Sequence, residues 1–452
     1  MRRSLLTLGG AVAAAGCVAG LLYLGPAEDP HPVPAAPQAA APQAGSAPAA
    51  TAGLAVATAR RRTQRAPDDP TAWSGLARAE AEEARVTLDA SRLDAADEAL
   101  RRSLALQKTD NYAAVTGQGV VANARHAFAE GRDFGLRATR MAPDRADGYA
   151  VLADAQIQLG DYPAARAAVQ RLLDIAPAGA AYSRAAYDLE TNGRPKDAAI
   201  ALQRAVDSAS TADERAFAQA RLGELAWAQG AVDRAERHFR LAADAVPGYA
   251  YAESGLARVL AVRGERSKAL GMYRELTGRA PLPQFLAEAV ELGGSSSSSS
   301  GGSVRSAKAA LDAEVRLLRA SGGAVDPHLA LYVADHGDPD VAVELMRGEW
   351  KRARSVIVAD ALGWALHRAG HDAEAVGYAR KAARTGWGNA LFRYHRGAIE
   401  HALGLPEGDR HLREALALNP NFSPYHAPLA RRLLKPTRGR HATDTKTTWY
   451  GR

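Results

Sequence analysis

The chain has 452 residues, 47% hydrophobic and only 6% aromatic, with a formal net charge of +7. Its single cysteine, Cys17, excludes an intrachain disulfide and any zinc site built on several thiolates. Ala, Leu and Arg are abundant and long alternating runs of β-branched residues are absent, which predicts an all-α protein and argues against a sheet.

Arg2 and Arg3 precede an uncharged stretch from Leu5 to Gly25. Its 21 residues would measure about 30 Å as a helix, enough to cross a bilayer core. The arginines before it, with Glu28 and Asp29 after it, place the N-terminus in the cytoplasm and the remainder outside. Three outcomes fit this segment: a retained single-span anchor, a cleaved signal peptide, or a lipoprotein. The last rests on "AAGC" (Ala14 to Cys17), which resembles a bacterial lipoprotein box with Cys17 as the lipidated residue. Ala14 stands where that box usually carries Leu, and the residues after Cys17 stay apolar. The opening "RRSLLTL" also resembles a twin-arginine export signal, without its usual preceding Ser or Thr. Residues 26–53 are rich in Pro and Ala and show no periodic apolar face, so they read as a disordered, extended linker. The heavy use of Ala and Arg fits a GC-rich bacterial genome.

From residue 54 onward a repeat is visible. Pro143 and Pro177 are 34 residues apart, as are Pro247 and Pro281, while Pro177 and Pro247 are 70 apart. Between the first two, Tyr149 and Leu152 open a helix, Gly160 and Tyr162 mark its end, and Ala165 sits where a second helix crosses the first. Further copies carry Leu222, Gly223, Gly230, Ala235, Phe239, Ala242 and Pro247, then Leu256, Ala257, Gly264, Ala269, Tyr273 and Pro281. Degenerate copies lie upstream (Trp73, Leu76, Ala96, Leu100; Gly119, Phe128, Ala138) and downstream (Gly337, Ala342, Met346; Leu362, Gly363, Gly370, Ala375; Gly397, Gly404, Ala415, Pro420). Small residues at a helix crossing let two backbones approach, and stacked neighbours then bury a continuous core.

These residues resemble the tetratricopeptide repeat (TPR). The resemblance implies an all-α, right-handed superhelical α-solenoid of ten helix-turn-helix repeats, from about Pro70 to Asn421. A cap helix is expected at 54–66 and another at Ser423 to Leu434. The first helix of the first repeat is expected to be two turns longer than its counterparts. The solenoid thus spans 54–434, followed by a basic tail (435–452). From Arg431 onward seven basic residues face only Asp444, and the end reads as solvated and disordered rather than as a nucleic-acid or lipid contact. The Gly/Ser run 293–303 reads as a flexible loop inside one repeat, between a short first helix (Pro283 to Leu292) and a second (Val304 to Ser321).

No phosphate loop, H-E-x-x-H or G-x-S-x-G motif is present. His367 and His371 flank Gly370, where a helix should end, so they would not share a face for a metal. "ADHGD" (Ala334 to Asp338) reads as a helix end. No catalytic residue, metal or cofactor is therefore expected. In the TPR family the first helices line a concave groove. Carried onto this register, the groove positions are Asn123, Asp154, Gln158, Tyr187, Glu190, Glu224, Trp227, Tyr251, Arg258, Trp364, His367, Arg368, Tyr394 and His401. Rings and polar groups suit an extended peptide. Lysines are scarce there, which argues against a clamp for a C-terminal carboxylate. The expectation is a non-catalytic scaffold for a protein or peptide partner, held at the outer face of the cytoplasmic membrane. The alternative is a cell-envelope accessory enzyme, or a carbohydrate- or metal-binding protein, using the His-rich C-terminal third.

Overall fold

The structure, a computed structural model, describes residues 48–87, 89–294 and 301–435. The apolar N-terminal stretch with Cys17, most of the Pro/Ala linker, the centre of the Gly/Ser run and the basic tail lie outside them. Among the described residues there are 22 helices and no strand.

Helix α1 (Pro48–Arg65) starts six residues before the expected cap and packs on α2. Ten helix pairs follow. The first four are α2 (Pro70–Thr87) with α3 (Ser91–Leu106), α4 (Tyr112–Ala124) with α5 (Phe128–Met141), α6 (Ala146–Leu159) with α7 (Tyr162–Ile175), and α8 (Gly179–Thr191) with α9 (Pro195–Asp207). The next three are α10 (Ala212–Ala228) with α11 (Val232–Ala245), α12 (Ala250–Val262) with α13 (Arg266–Arg279), and α14 (Pro283–Gly293) with α15 (Gly301–Ser321). The last three are α16 (Pro327–His336) with α17 (Pro339–Arg352), α18 (Val356–Arg368) with α19 (Asp372–Ala382), and α20 (Ala390–Ala402) with α21 (Glu407–Leu418). A short α22 (His426–Leu433) caps the stack against α20 and α21. The fold is an all-α, right-handed superhelical α-solenoid.

Helix α2 has 18 residues against 13 in α4 and 14 in α6, so it is longer by little more than one turn, not two. Around the Gly/Ser run, α14 packs on α13 before it and on α15 and α16 after it. The second helix of that pair begins at Gly301, three residues earlier than the apolar pattern suggests.

Local chemistry explains the punctuation. Asn111 and Asp161 accept hydrogen bonds from the N–H groups of Ala114 and Ala164, capping α4 and α7. Thr211 and Glu214 form a reciprocal capping box on α10. Proline occupies the first turn of α9, α14, α16 and α17, where a missing N–H costs nothing. Between helix pairs the Phe239 ring fills the space left by two glycines: a Cβ on Gly223 or Gly255 would sit 2.5 Å from it. Small residues here are a packing requirement for α10, α11 and α12 together.

The solenoid also closes on itself. After about six repeats the loops that follow repeats eight, nine and ten lie on the intra-repeat turns of repeats two to five. The Arg354 N–H donates to the Gln158 carbonyl at 2.7 Å, and the Val356 N–H donates to the Tyr162 hydroxyl at 2.9 Å. Arg384 donates to the Gly160 carbonyl at 2.6 Å, and the Asn419 side-chain amide to the Trp227 carbonyl at 2.7 Å. His126, in the turn between α4 and α5 at φ 58, places Nδ1 3.0 Å from Glu349 Oε1 on α17. Ile157, Tyr162, Tyr187 and Val356 form an apolar core across this seam, joined by Trp387 and Phe392. One edge of the superhelical ribbon is thereby sealed to the other.

A chamber inside the closed solenoid

The seam determines where the expected groove residues lie. Four of them are buried in structural contacts. Asn123 donates to the Val151 carbonyl at 3.0 Å and ties α4 to α6. Asp154 accepts two hydrogen bonds from Arg184, at 2.9 and 2.7 Å, joining α6 to α8. Burial pushes the Asp154 carboxyl up to about 6 against the opposing pull of Arg184. Gln158 lies under Arg354 at the seam. Tyr187 meets the edge of Trp387 with ring centroids 6.1 Å apart.

A second set is brought together around open space. Glu190, Glu224, Trp227, Tyr251 and Arg258 line a cavity of about 240 Å³. Trp227 and Arg258 also line an adjoining cavity of about 450 Å³ between α12, α14 and α16 on one side and residues 420–431 on the other. Arg258 is the hinge of this set. It pairs with Glu224, reaches Glu288 at 4.0 Å, and stacks its guanidinium 5.3 Å from the Trp227 ring. Burial pushes the Glu190 carboxyl up, opposed by the charge of Arg221 at 2.8 Å and a hydrogen bond from Trp387. Tyr251 packs edge-on against Phe285 at 5.5 Å.

The C-terminal members form a third group. Trp364 is 2% exposed, stacks on His395 at 4.2 Å and donates its indole N–H to Asp335 at 3.1 Å. Arg368 lies 3.3 Å from the same carboxylate. Tyr394 is buried between Trp364 and Phe422. Burial alone would raise the Asp335 carboxyl, but the hydrogen bond from His426 and the neighbouring cations hold it below the usual carboxylate range. His367 pairs with Asp372 and His401 with Asp409, the latter exposed and away from both cavities.

Several lining residues carry no sequence signal of their own. Trp387 enters from the segment between α19 and α20, Leu391 from the first turn of α20, Phe422 from the loop after α21, and Gln284 and His328 from the starts of α14 and α16. They come together only in the folded chain. The chamber holds hydrogen-bonding side chains beside aromatic walls, so it can grip an extended chain by both its backbone and its side chains.

The sequence profile of the tetratricopeptide repeat matches residues 134–180, 151–213 and 183–250. The chain therefore contains TPR motifs within a solenoid of ten helix pairs. No curated protein matches the sequence. Several solved structures are similar to this chain at low identity. A human IFIT1 dimer with m7Gppp-AAAA is 16% identical, over 70% of this chain and 72% of that one, with a TM-score of 0.47. The APC/C hetero-tetramer Cut9-Hcn1 is 13% identical over 85% and 94%, with a TM-score of 0.37. YrrB, a TPR protein with an unusual peptide-binding site, is 20% identical over 40% and 92%, with a TM-score of 0.29.

Proposed function

We propose that this protein is a non-catalytic TPR scaffold that receives a peptide segment of a partner protein in the chamber between α10, α12, α14 and the C-terminal loops. The observation that carries this reading is the shared lining of the two cavities. Trp227, Arg258, Gln284, His328, Leu391 and Phe422 face both, so the space is continuous along the inner wall of several repeats. Ring faces offer contact area at low entropic cost, while Gln284 and Asn389 offer amide partners for backbone. Of the expected groove residues, Glu190, Glu224, Trp227, Tyr251 and Arg258 are the ones proposed to face the partner, and the buried ones outside this chamber hold the scaffold in shape.

The same reading includes a membrane tether. It rests on the charge and length of Leu5 to Gly25, with Cys17 as the candidate lipidation residue, and on the linker that follows. Among the described residues no helix is long and apolar enough to cross a membrane. A reporter active only outside the cytoplasm, fused after Arg452, should be active, and silence would overturn the exported topology.

The chamber is tested with a displayed peptide library selected on the full chain. Tyr251→Ala and Gln284→Ala should each weaken the selected peptides at least tenfold. Peptides bound equally well by both variants would overturn the chamber as the site.

A further inference from the structure

We propose that Glu291, Asp335 and His426 form a binding site for one zinc-class divalent cation, with His336 as a second imidazole donor. The four residues come from three separate elements: the end of α14, the last two positions of α16, and the first position of α22. One donor atom from each of Glu291, Asp335 and His426 lies within 4.8 Å of the others. Ligands sharing a tetrahedral zinc ion at about 2.0–2.2 Å stand about 3.4 Å apart. His426 Nε2 is already 2.8 Å from Asp335 Oδ2, so small side-chain movements suffice.

The surroundings orient these donors. Trp364 Nε1 at 3.1 Å and Arg368 at 3.3 Å hold Asp335 Oδ1, leaving Oδ2 turned to His426. Ser423 Oγ is 3.2 Å from His426 Nδ1, which leaves Nε2 as the nitrogen that faces the site. Second partners of this kind set the tautomer and direction of metal ligands. An independent observation points the same way. His336 Nε2 is buried and has no hydrogen-bond partner among the described residues, yet it lies 3.6 Å from Glu291 Oε1. Its ring is flanked by Tyr332 at 5.2 Å and Tyr425 at 4.7 Å. A buried ring nitrogen left without a hydrogen-bond partner is a cost unless something binds it.

The donor set selects the metal class. Two imidazoles and two carboxylates with no thiolate suit zinc or a neighbouring first-row divalent ion, not Ca²⁺ or Mg²⁺, which take all-oxygen shells, nor Cu(I), which prefers sulfur. Glu291 and His426 also line the larger cavity, which gives the ion an entry path. Bound there, it would fasten the capping helix to α14 and α16. This inference is independent of the peptide reading.

The test uses untagged full-length protein in a Cys17→Ser background, stripped with a chelator and titrated with Zn²⁺ against a chromophoric competitor. One zinc per chain should bind with micromolar or tighter affinity and raise Tm. Asp335 and His426 form a buried pair, so their variants can fail by misfolding. Glu291→Gln and His336→Gln leave that pair intact. Each should weaken zinc binding at least tenfold and abolish the zinc-dependent rise in Tm, with Tm unchanged in chelator. Absence of stoichiometric binding, or binding unaltered in both variants, would overturn the site.

Discussion

The backbone N–H of Val356 donates to the Tyr162 hydroxyl at 2.9 Å, across 194 residues of sequence. Tyr162 opens the second helix of repeat three, and Val356 opens the first helix of repeat nine. Burial pushes the Tyr162 hydroxyl up to about 12, so it stays neutral at working pH. Tyr162→Phe would leave a buried N–H with no acceptor, at a cost of about 1–3 kcal/mol. Denaturant melts should register that loss, and hydrogen exchange should accelerate first at 356–358. Unchanged exchange there would show that the seam does not depend on this bond.

The seam can be separated from ordinary turn strain by comparing two glycines. Gly160 and Gly264 both have positive φ, at 75° and 84°. A Cβ on Gly160 would collide with the Arg354 carbonyl and the Arg384 guanidinium, whereas one on Gly264 would meet nothing within 4 Å. Gly264→Ala should cost about 1 kcal/mol from the left-handed backbone alone. Gly160→Ala should cost at least about 1–2 kcal/mol more and expose 353–355 and 384–389 to proteolysis. Equal effects would mean the later repeats rest only loosely on the earlier ones.

Arg184 is fully buried beside Asp154. Asp154→Ala would strand its charge, and chemical denaturation should show a loss of about 3–5 kcal/mol. Replacing both, as Asp154→Leu with Arg184→Met, should recover most of that loss because neither charge then needs a partner. A double variant as unstable as the single would show that the pair is held by shape rather than by charge.

Glu314 predicts a pH dependence. Burial and, secondarily, the charge of Asp326 push its carboxyl from 4.5 up to about 8. Between those values the folded chain keeps a proton that the unfolded chain has lost. Its contribution is therefore fully present below the lower value and is lost as pH rises through the upper one. Relative to Glu314→Gln, the wild type should lose about 1–2 kcal/mol between pH 5 and 8, allowing for solvent around the partly exposed side chain. Parallel pH profiles for the two proteins would exclude this assignment.

Helix pairing was readable in the sequence because its signals are local. Proline spacing, the glycines at turns and the small residues facing Phe239 all act within one or two repeats. The seam leaves no such trace. Trp387 stands in the plain segment "RTGWGNA", and nothing near it announces Tyr187. His126 takes the left-handed turn position that Gly160 and Gly193 fill in the next repeats, which is a visible oddity, but its partner Glu349 is far away in the chain. The groove positions were carried over from an open superhelix. In this closed one, Asp154, Gln158 and Tyr187 are enclosed, and of the expected positions it is those from Glu190 to Arg258 that line the chamber. Asp335 likewise reads as an ordinary helix end until α14 and α22 bring Glu291 and His426 beside it.

A stack of repeats normally behaves as a one-dimensional row, in which each unit is coupled only to its neighbours and the ends fray first. The contacts of Tyr162, Gly160 and Trp227 with residues of repeats nine and ten turn that row into a folded lattice. Loss of repeat nine would then release repeat three as well as repeats eight and ten. Such a molecule should melt in one step where an open array would peel, and it should resist stretching until the cross-links along its edge give way.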